Sequence, residues 1–93
     1  MKVEDIKVFN PDDVEVTDKL ILNTEFAMEF ITRNIQENLK YEQVCRIFRE
    51  LRKFYTIDVE FDRVEFDFKN KELNAIYYLV KNREITLKIY LKG

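Results

Sequence analysis

Two carboxylates and one lysine in the last third of the chain have a spacing that could support hydrolytic chemistry. Asp67 and Lys69 are separated by one residue, and Asp58 lies further upstream. Two carboxylates can hold a Mg²⁺ ion, while a nearby lysine can activate water or stabilise developing charge. A pattern this short also arises by chance in a chain so rich in acids and lysines, so the pattern alone does not establish a site.

Several residue types on which enzymes depend are missing. The sequence has no His, which removes the commonest general base and the commonest metal-binding imidazole. Its one Gly is the last residue, so a Gly-rich phosphate-binding loop is excluded. Its one Cys, Cys45, is expected to be a small core hydrophobe. We therefore expect a non-catalytic protein without a metal or cofactor. The alternative is a metal-dependent nuclease or phosphodiesterase that uses Asp58, Asp67 and Lys69.

These candidate residues lie in a C-terminal segment in which apolar and polar residues alternate, the period of a half-buried strand. The tetrapeptide VEFD occurs there twice, at 59–62 and 64–67, and the odd offset reverses the alternation between the copies. A hairpin with Asp62-Arg63 as its loop would return both copies to one face, and so would a single strand with a bulge at those residues. The bulge is favoured because Asp-Arg is a poor hairpin loop and a hairpin would oppose like charges.

Two turns are predicted to divide the rest of this segment into strands, at Asn70-Lys71-Glu72 and at Asn82-Arg83. The first turn would place Phe68, Phe66 and Val64 opposite Asn74, Ile76 and Tyr78. The second would place Val80, Tyr78 and Ile76 opposite Ile85, Leu87 and Ile89. On this register Leu73, Ala75, Tyr77 and Leu79 point to the other face. The middle strand is then apolar on both sides, as a central strand is.

The N-terminal quarter of the chain predicts one strand and a turn. Residues 3–9 could form a short strand with Ile6 and Val8 on one face. The sequence NPDD at 10–13 predicts a turn, because Pro fixes φ and Asp bonds its own backbone. Residues 13–22 fit a strand or a helical turn equally well.

Two helices are predicted in the middle of the chain. Asn23 or Thr24 can cap the first, which we expect to continue to Asn38. The apolar residues of 41–54 recur at spacings of three and four, which predicts the second helix.

Together these elements predict an α+β fold with two helices packed on one face of an antiparallel sheet. The sheet would have three or more strands, namely the C-terminal meander and a possible N-terminal strand or hairpin. The 93 residues are enough for a single domain, 1–93, with one modest core. With 46% hydrophobic residues and a net charge of −2, the chain is neither disordered nor membrane-embedded.

One face of the predicted sheet would run from acid, through aromatic and aliphatic side chains, to base. Carboxylates on its first strand would steer a basic partner, and tyrosines beside them would provide contact area. The predicted partner-binding residues are Asp58, Glu60, Glu65, Asp67, Tyr77, Leu79 and Tyr90. The alternative is that these charges only solvate the face and protect an edge strand from aggregation.

This surface predicts a small protein-interaction module. Its partner would be another protein with a basic, nucleic-acid-binding groove, so an inhibitor or regulator of the immunity or anti-defence type is one possible form. Because acid and base lie at opposite sides of the face, a homodimer is also predicted. Direct nucleic-acid binding is not expected of a chain with nearly balanced charge. No apolar run could span a membrane, and the acidic N-terminus does not suit a signal peptide, so a cytoplasmic location is expected.

Overall fold

The structure, a computed structural model, describes residues 2–36, 38–67, 69–79 and 83–92. The strands in these ranges are β1 (Lys2–Phe9), β2 (Glu60–Asp67), β3 (Glu72–Leu79) and β4 (Arg83–Lys92). The helices are α1 (Thr17–Leu20), α2 (Thr24–Asn34) and α3 (Tyr41–Glu50), and α3 continues as a 3₁₀ turn over Leu51–Phe54. The α+β class predicted from the sequence is confirmed.

The strands form one sheet in the order β1-β4-β3-β2, and every neighbouring pair is antiparallel. The C-terminal meander is therefore β2-β3-β4, and the first strand joins it beside the last one. α2 packs against β1 and α3 against β2, so the two long helices together cover one face of the sheet. Placing the first strand beside the last one requires contacts that no local pattern in the sequence reveals.

The helices bury one stripe each, as their spacing predicts. The side chain of Asn23 caps α2 by accepting the N–H of Phe26 at 3.0 Å. α2 ends at Asn34 rather than Asn38, because Ile35 adopts an extended backbone that brings its side chain into the core. In α3, Cys45 is buried with only 5% of its surface exposed, in agreement with the predicted core position.

Residues 13–22, for which the sequence left two alternatives, contain both kinds of structure. Glu15 forms an isolated bridge with Phe9, and Ile21 forms one with Tyr55. Between these bridges lies the single turn of α1. The turn before them forms as predicted, with the side chain of Asn10 accepting two backbone N–H groups further along the chain.

The bulge predicted at Asp62-Arg63 is confirmed. Phe61 pairs with Tyr77 and Arg63 with Ile76, so Asp62 is an extra residue that has no paired residue on β3. Val59, Phe61 and Val64 consequently all face the helices, and the two VEFD copies share one inward side.

The predicted register of β3 is wrong, and its two faces are exchanged. Val64 lies opposite Ala75 and Phe66 opposite Leu73, whereas the sequence suggested Ile76 and Tyr78 as the inward residues. β4 keeps its predicted inward residues, Ile85, Leu87 and Ile89, which pair with Tyr77, Ala75 and Leu73. Because β3 is apolar on both sides, alternation alone could not determine its orientation. Phe68, Val80 and Asn82 of that prediction lie outside the described residues.

Candidate functional site

We call the sheet surface turned away from the helices the open face. Its residues form cross-strand rows, and each row is read in the order β1, β4, β3, β2. The first row is Phe9, Thr86, Ile76 and Arg63; the second is Lys7, Lys88, Asn74 and Glu65; the third is Asp5, Tyr90, Glu72 and Asp67. A fourth row crosses three strands with Glu84, Tyr78 and Glu60. This surface is the one on which the sequence placed the partner-binding residues.

The structure separates those seven residues into three groups. Glu60, Glu65, Asp67 and Tyr90 lie on the open face, as predicted. Asp58 lies in the loop before β2, which begins only at Glu60, so its expected place in the strand is wrong. Tyr77 and Leu79 lie on the opposite face, where they pack with the helices.

Tyr77 is a core residue and not a contact residue. It has 0% exposed surface, and its hydroxyl donates a 2.6 Å hydrogen bond to the carbonyl of Phe48 in α3. Its ring packs against the rings of Tyr55 and Phe61, with centroids 5.0 and 5.6 Å away. Burial raises the pKa of the Tyr77 phenol well above its usual value. Tyr78 and Tyr90 are the tyrosines that the open face presents instead.

Arg63 is the centre of the charges on β2. Its guanidinium bonds the carboxylates of Asp62 and Glu65 and lies 3.6 Å from that of Glu84 on β4. The hydrogen bonds to Asp62 and then to Glu65 raise the pKa of Arg63 above its usual value. All four side chains are at least one-third exposed, so these pairs stabilise the fold only slightly.

Asp67 lies at the end of β2 and closes the turn into β3. Its two carboxylate oxygens accept from the side-chain amide and the backbone N–H of Asn70, at 2.9 and 3.1 Å. These bonds hold the pKa of Asp67 below its usual value. Lys71, rather than Asn70, adopts the left-handed backbone in this turn, with φ at 54°. Asp67 also lies directly opposite Glu72, which is an unfavourable like-charge pair.

β1 and β4 each contribute a lysine to the middle of the open face, and the contribution of β1 was not predicted from the sequence. Lys7 lies directly opposite Lys88. The ammonium of Lys7 lies 5.9 Å from the ring centroid of Tyr90, and that of Lys88 lies 5.0 Å from the centroid of Phe9. Burial and the nearby acids, Glu72 foremost, raise the pKa of Tyr90. Alternation in β1 could have shown that Lys7 and Phe9 point away from Ile6 and Val8, but not that they join β4.

Two residues in the middle of the open face are unusually well shielded for a surface that no described element covers. Only 2% of the surface of Ile76 is exposed to solvent. The side-chain oxygen of Asn74 is buried and finds no hydrogen-bond donor among the described residues. A buried acceptor without a donor is destabilising, so the side chain of Asn74 lowers the stability of this part of the sheet.

The candidate hydrolytic set does not assemble. Asp58 precedes β2 and Asp67 ends it, so the whole of β2, about 23 Å long at ~3.3 Å per residue, lies between them. Two carboxylates so far apart cannot share one metal ion. Lys69 lies beyond Asp67 in the turn. Within the described ranges, no three Asp, Glu or Cys side chains are grouped closely enough to hold a metal ion.

The helical side carries a second unusual surface, which we call the apolar corner. It consists of Leu22 and Phe26, which are 76% and 60% exposed, beside the rings of Phe30 and Phe54, which contact each other at a tilt of 53°. The ammonium of Lys53 lies over those two rings, 4.5 and 5.5 Å from their centroids. Exposed apolar clusters of this kind often take part in protein contacts.

No helix in the described ranges has the length and apolar character needed to cross a membrane. The scan against protein-family models, the search of curated proteins and the search of solved structures each return no match for this chain.

Proposed function

We propose that this chain is a small non-catalytic interaction module that binds a basic partner protein through the acidic half of its open face. The acidic half comprises Glu60, Glu65, Asp67, Glu72 and Glu84. Arg63 lies among these carboxylates. In the described part of the chain it already pairs with Glu65 and Glu84.

The excess of carboxylates on this surface is the observation that supports the proposal. The direct opposition of Asp67 and Glu72 costs roughly 0.2–1 kcal/mol relative to a neutral pair. A surface that needed only to be soluble would be more stable with alternating signs of charge. A basic partner would remove this repulsion on binding, and the field of the carboxylates would accelerate its approach.

The contact area beside the carboxylates would come from Tyr78 and Tyr90, which are half-buried on the same face. Tyrosines combine a large apolar surface with a hydroxyl that can bond across an interface. They take the role that the sequence assigned to Tyr77. A cytoplasmic location and an inhibitory or regulatory action on a nucleic-acid-handling protein belong to the same proposal.

Affinity capture with matched variants tests the proposal. The open-face variant carries Glu60→Lys and Glu72→Lys, two carboxylates without an ion pair among the described residues. The control variant carries the same charge change on α3, as Glu42→Lys and Glu50→Lys, both exposed. Circular dichroism would first verify that both variants fold.

Immobilised wild type and the α3 control are expected to retain the same basic protein from an extract of the native host, and salt should elute it because screening weakens exposed charge contacts. The open-face variant is expected to lose it. Equal retention by both variants, or elution that does not depend on salt, would show that the acidic half is only solvated surface.

A further inference from the structure

We infer that the basic partner of the proposed function inserts a large apolar side chain, flanked by lysines or arginines, into a cavity at one end of the sheet. This inference rests on the proposed function and deepens it, because it names the kind of segment that the acidic half recognises. The cavity has a volume of about 360 Å³ and lies between the α2–α3 connection and the turn that joins β2 to β3.

The inside of this cavity is apolar. Aliphatic and aromatic side chains from α2, α3, the connection between them and three strands line it, namely Ile35, Leu39, Val44, Phe66, Leu73 and Leu91. Three of them are buried core residues, whereas Leu39, Leu91 and Phe66 are each partly exposed. Apolar surface that is wet in the free chain gains free energy when a ligand removes it from water.

The backbone on both sides of the cavity has an unusual conformation. Asn38 and Lys71 both line it, and both adopt a left-handed backbone, with φ at 66° and 54°. This conformation is unfavourable for residues other than glycine, least so for Asn, and it persists where the surrounding structure imposes it. The gap between the α2–α3 connection and the β2–β3 turn is therefore bordered by two fixed turns of the chain.

The rim of the cavity is continuous with the acidic half. Asp67 and Glu72 belong to that half and also line the cavity, together with Lys71, so two carboxylates and one ammonium leave one net negative charge. Among the described residues Glu72 has no ion pair, and the carboxylate of Asp67 accepts from the neutral side chain and backbone of Asn70. A cation beside an apolar anchor would relieve the repulsion between these two opposed carboxylates.

The volume of the cavity suits one large side chain. An apolar cavity of about 150 Å³ can hold a benzene molecule. A cavity of about 360 Å³ can therefore take the ring of a phenylalanine and the atoms that join it to its backbone. Buried apolar anchors supply much of the affinity at interfaces, whereas surrounding charges mainly steer the approach. The carboxylates alone would attract any basic protein, and the cavity adds a preference for an apolar residue among the cations.

The apolar corner is less suitable for such a segment. The ammonium of Lys53 lies over the rings of Phe30 and Phe54 there, and it would repel the lysines or arginines of a basic partner. The apolar corner and the cavity therefore differ in the charge beside their apolar residues, and the experiment can distinguish them.

NMR titration of the methyl groups of the chain with three capped pentapeptides, carried to millimolar concentration, tests the inference. The first peptide has phenylalanine between two pairs of lysines, the second has alanine in its place, and the third has phenylalanine between two pairs of glutamates. The methyl groups of Leu39, Val44 and Leu73 report on the cavity, and those of Leu22 report on the apolar corner.

Two variants complete the experiment. Leu39→Trp adds volume to the lining of the cavity, and Leu22→Trp makes the same change at an exposed residue of the apolar corner. Circular dichroism shows whether each variant is folded. If Leu39→Trp does not fold, the comparison of the three peptides on the wild type decides the result alone.

We expect the lysine-flanked phenylalanine peptide to shift the cavity methyl groups and to bind at least about tenfold more tightly than the alanine peptide. The glutamate-flanked peptide should not bind, and added salt should weaken the binding that remains. Leu39→Trp should weaken binding of the phenylalanine peptide about tenfold, while Leu22→Trp should bind it as the wild type does.

The outcomes separate this inference from the proposed function. Equal affinity for the phenylalanine and alanine peptides, or unchanged affinity in a folded Leu39→Trp variant, would overturn the inference and leave the charge-based proposal standing. Absence of binding by every peptide would also overturn it, while capture from the native host would still decide the proposed function. Equal binding of the lysine-flanked and glutamate-flanked phenylalanine peptides would contradict both, because the acidic half would then not select a basic segment.

Discussion

Phe61 and Arg63 are two positions apart on β2, yet they point to opposite faces of the sheet. In a regular strand they would share a face, and a charged guanidinium would enter the core. The bulge at Asp62 prevents this. Phe61 pairs with Tyr77, and Arg63 pairs with Ile76, the residue next to Tyr77 on β3. One extra residue therefore keeps Phe61 in the core and Arg63 with the carboxylates of the open face.

Deletion of Asp62 is predicted to be tolerated. The shortened strand would pair regularly, with Phe61 inward, Arg63 outward and Val64 inward, as they are now. The loss of the exposed Asp62–Arg63 ion pair should cost less than about 1 kcal/mol, and we expect a total destabilisation below about 2 kcal/mol. Equilibrium urea unfolding measures this change.

Deletion of Glu65 is the matched control for that experiment. It lies outside the bulge, so the strand must either turn Phe66 to the open face or absorb the bulge and turn Arg63 inward. We expect it to cost more than the deletion of Asp62, because one alternative reverses the end of the strand at Phe66 and Asp67 and the other buries the charge of Arg63. Equal effects of the two deletions would contradict the role given to the bulge.

The same strand shows why part of the fold could be predicted. The VEFD repeat, with its odd offset, required either a bulge or a hairpin, and local chemistry decided between them. β4 alternates strictly, so its inward residues Ile85, Leu87 and Ile89 could be read directly from the sequence. Local periodicity and turn chemistry were sufficient in both cases.

The partner-binding residues on β3 could not be predicted in the same way. Leu73, Ala75, Ile76 and Tyr77 are all buried, so apolar character does not distinguish the two faces of this strand. The two lysines in the middle of the open face come together through pairing between β1 and β4, the first and last strands in the chain. Such pairing is determined by the packing of the whole molecule, and alternation within one strand carries no information about it.

Two buried tyrosines that pack against each other are predicted to respond oppositely to removal of their hydroxyl groups. Tyr77→Phe deletes the 2.6 Å hydrogen bond to the carbonyl of Phe48 and should lower the free energy of unfolding by about 1–2 kcal/mol. Tyr55→Phe deletes a buried hydroxyl that has no partner among the described residues, and should raise stability by about 1 kcal/mol. Urea unfolding of both variants provides the comparison. A loss of stability in Tyr55→Phe similar to that in Tyr77→Phe would show that the Tyr55 hydroxyl has a partner.

Thr17 is predicted to stabilise the outer edge of β1 and to protect that edge from aggregation. Its buried hydroxyl accepts the N–H of Val8 at 2.9 Å, and the carbonyl of Val8 accepts the N–H of Val16. Thr17→Val keeps the shape of the side chain but leaves the Val8 N–H without an acceptor, which should cost about 1–3 kcal/mol. Because a free strand edge pairs with other chains, light scattering of the heated variant should also show earlier aggregation.

Thr32→Val is the control for the edge of β1. Thr32 also accepts a β1 N–H, that of Val3, but at 3.4 Å and in a partly exposed position. Water can replace this acceptor, so both the loss of stability and the aggregation should be smaller than in Thr17→Val. Equal effects would mean that methyl packing, and not capping of the strand edge, explains the result.

Asp67 is predicted to make stability fall in acid because Asn70 stabilises its charged form. Two hydrogen bonds from Asn70 lower the pKa of Asp67 in the folded state, so the folded chain binds fewer protons than the unfolded chain at intermediate acidity. The resulting stabilisation is present above the ordinary pKa of Asp, near 4, and is lost as the pH falls through the lower pKa of the folded state.

Asn70→Ala removes the side-chain bond and should raise the pKa of Asp67, which carboxyl NMR titration measures directly. Asn34→Ala, a change to an exposed Asn on α2, should leave that pKa unchanged. If Asn70→Ala also leaves it unchanged, the lowering arises from the backbone N–H bond and the turn itself, and the acid dependence of stability should then match that of the wild type.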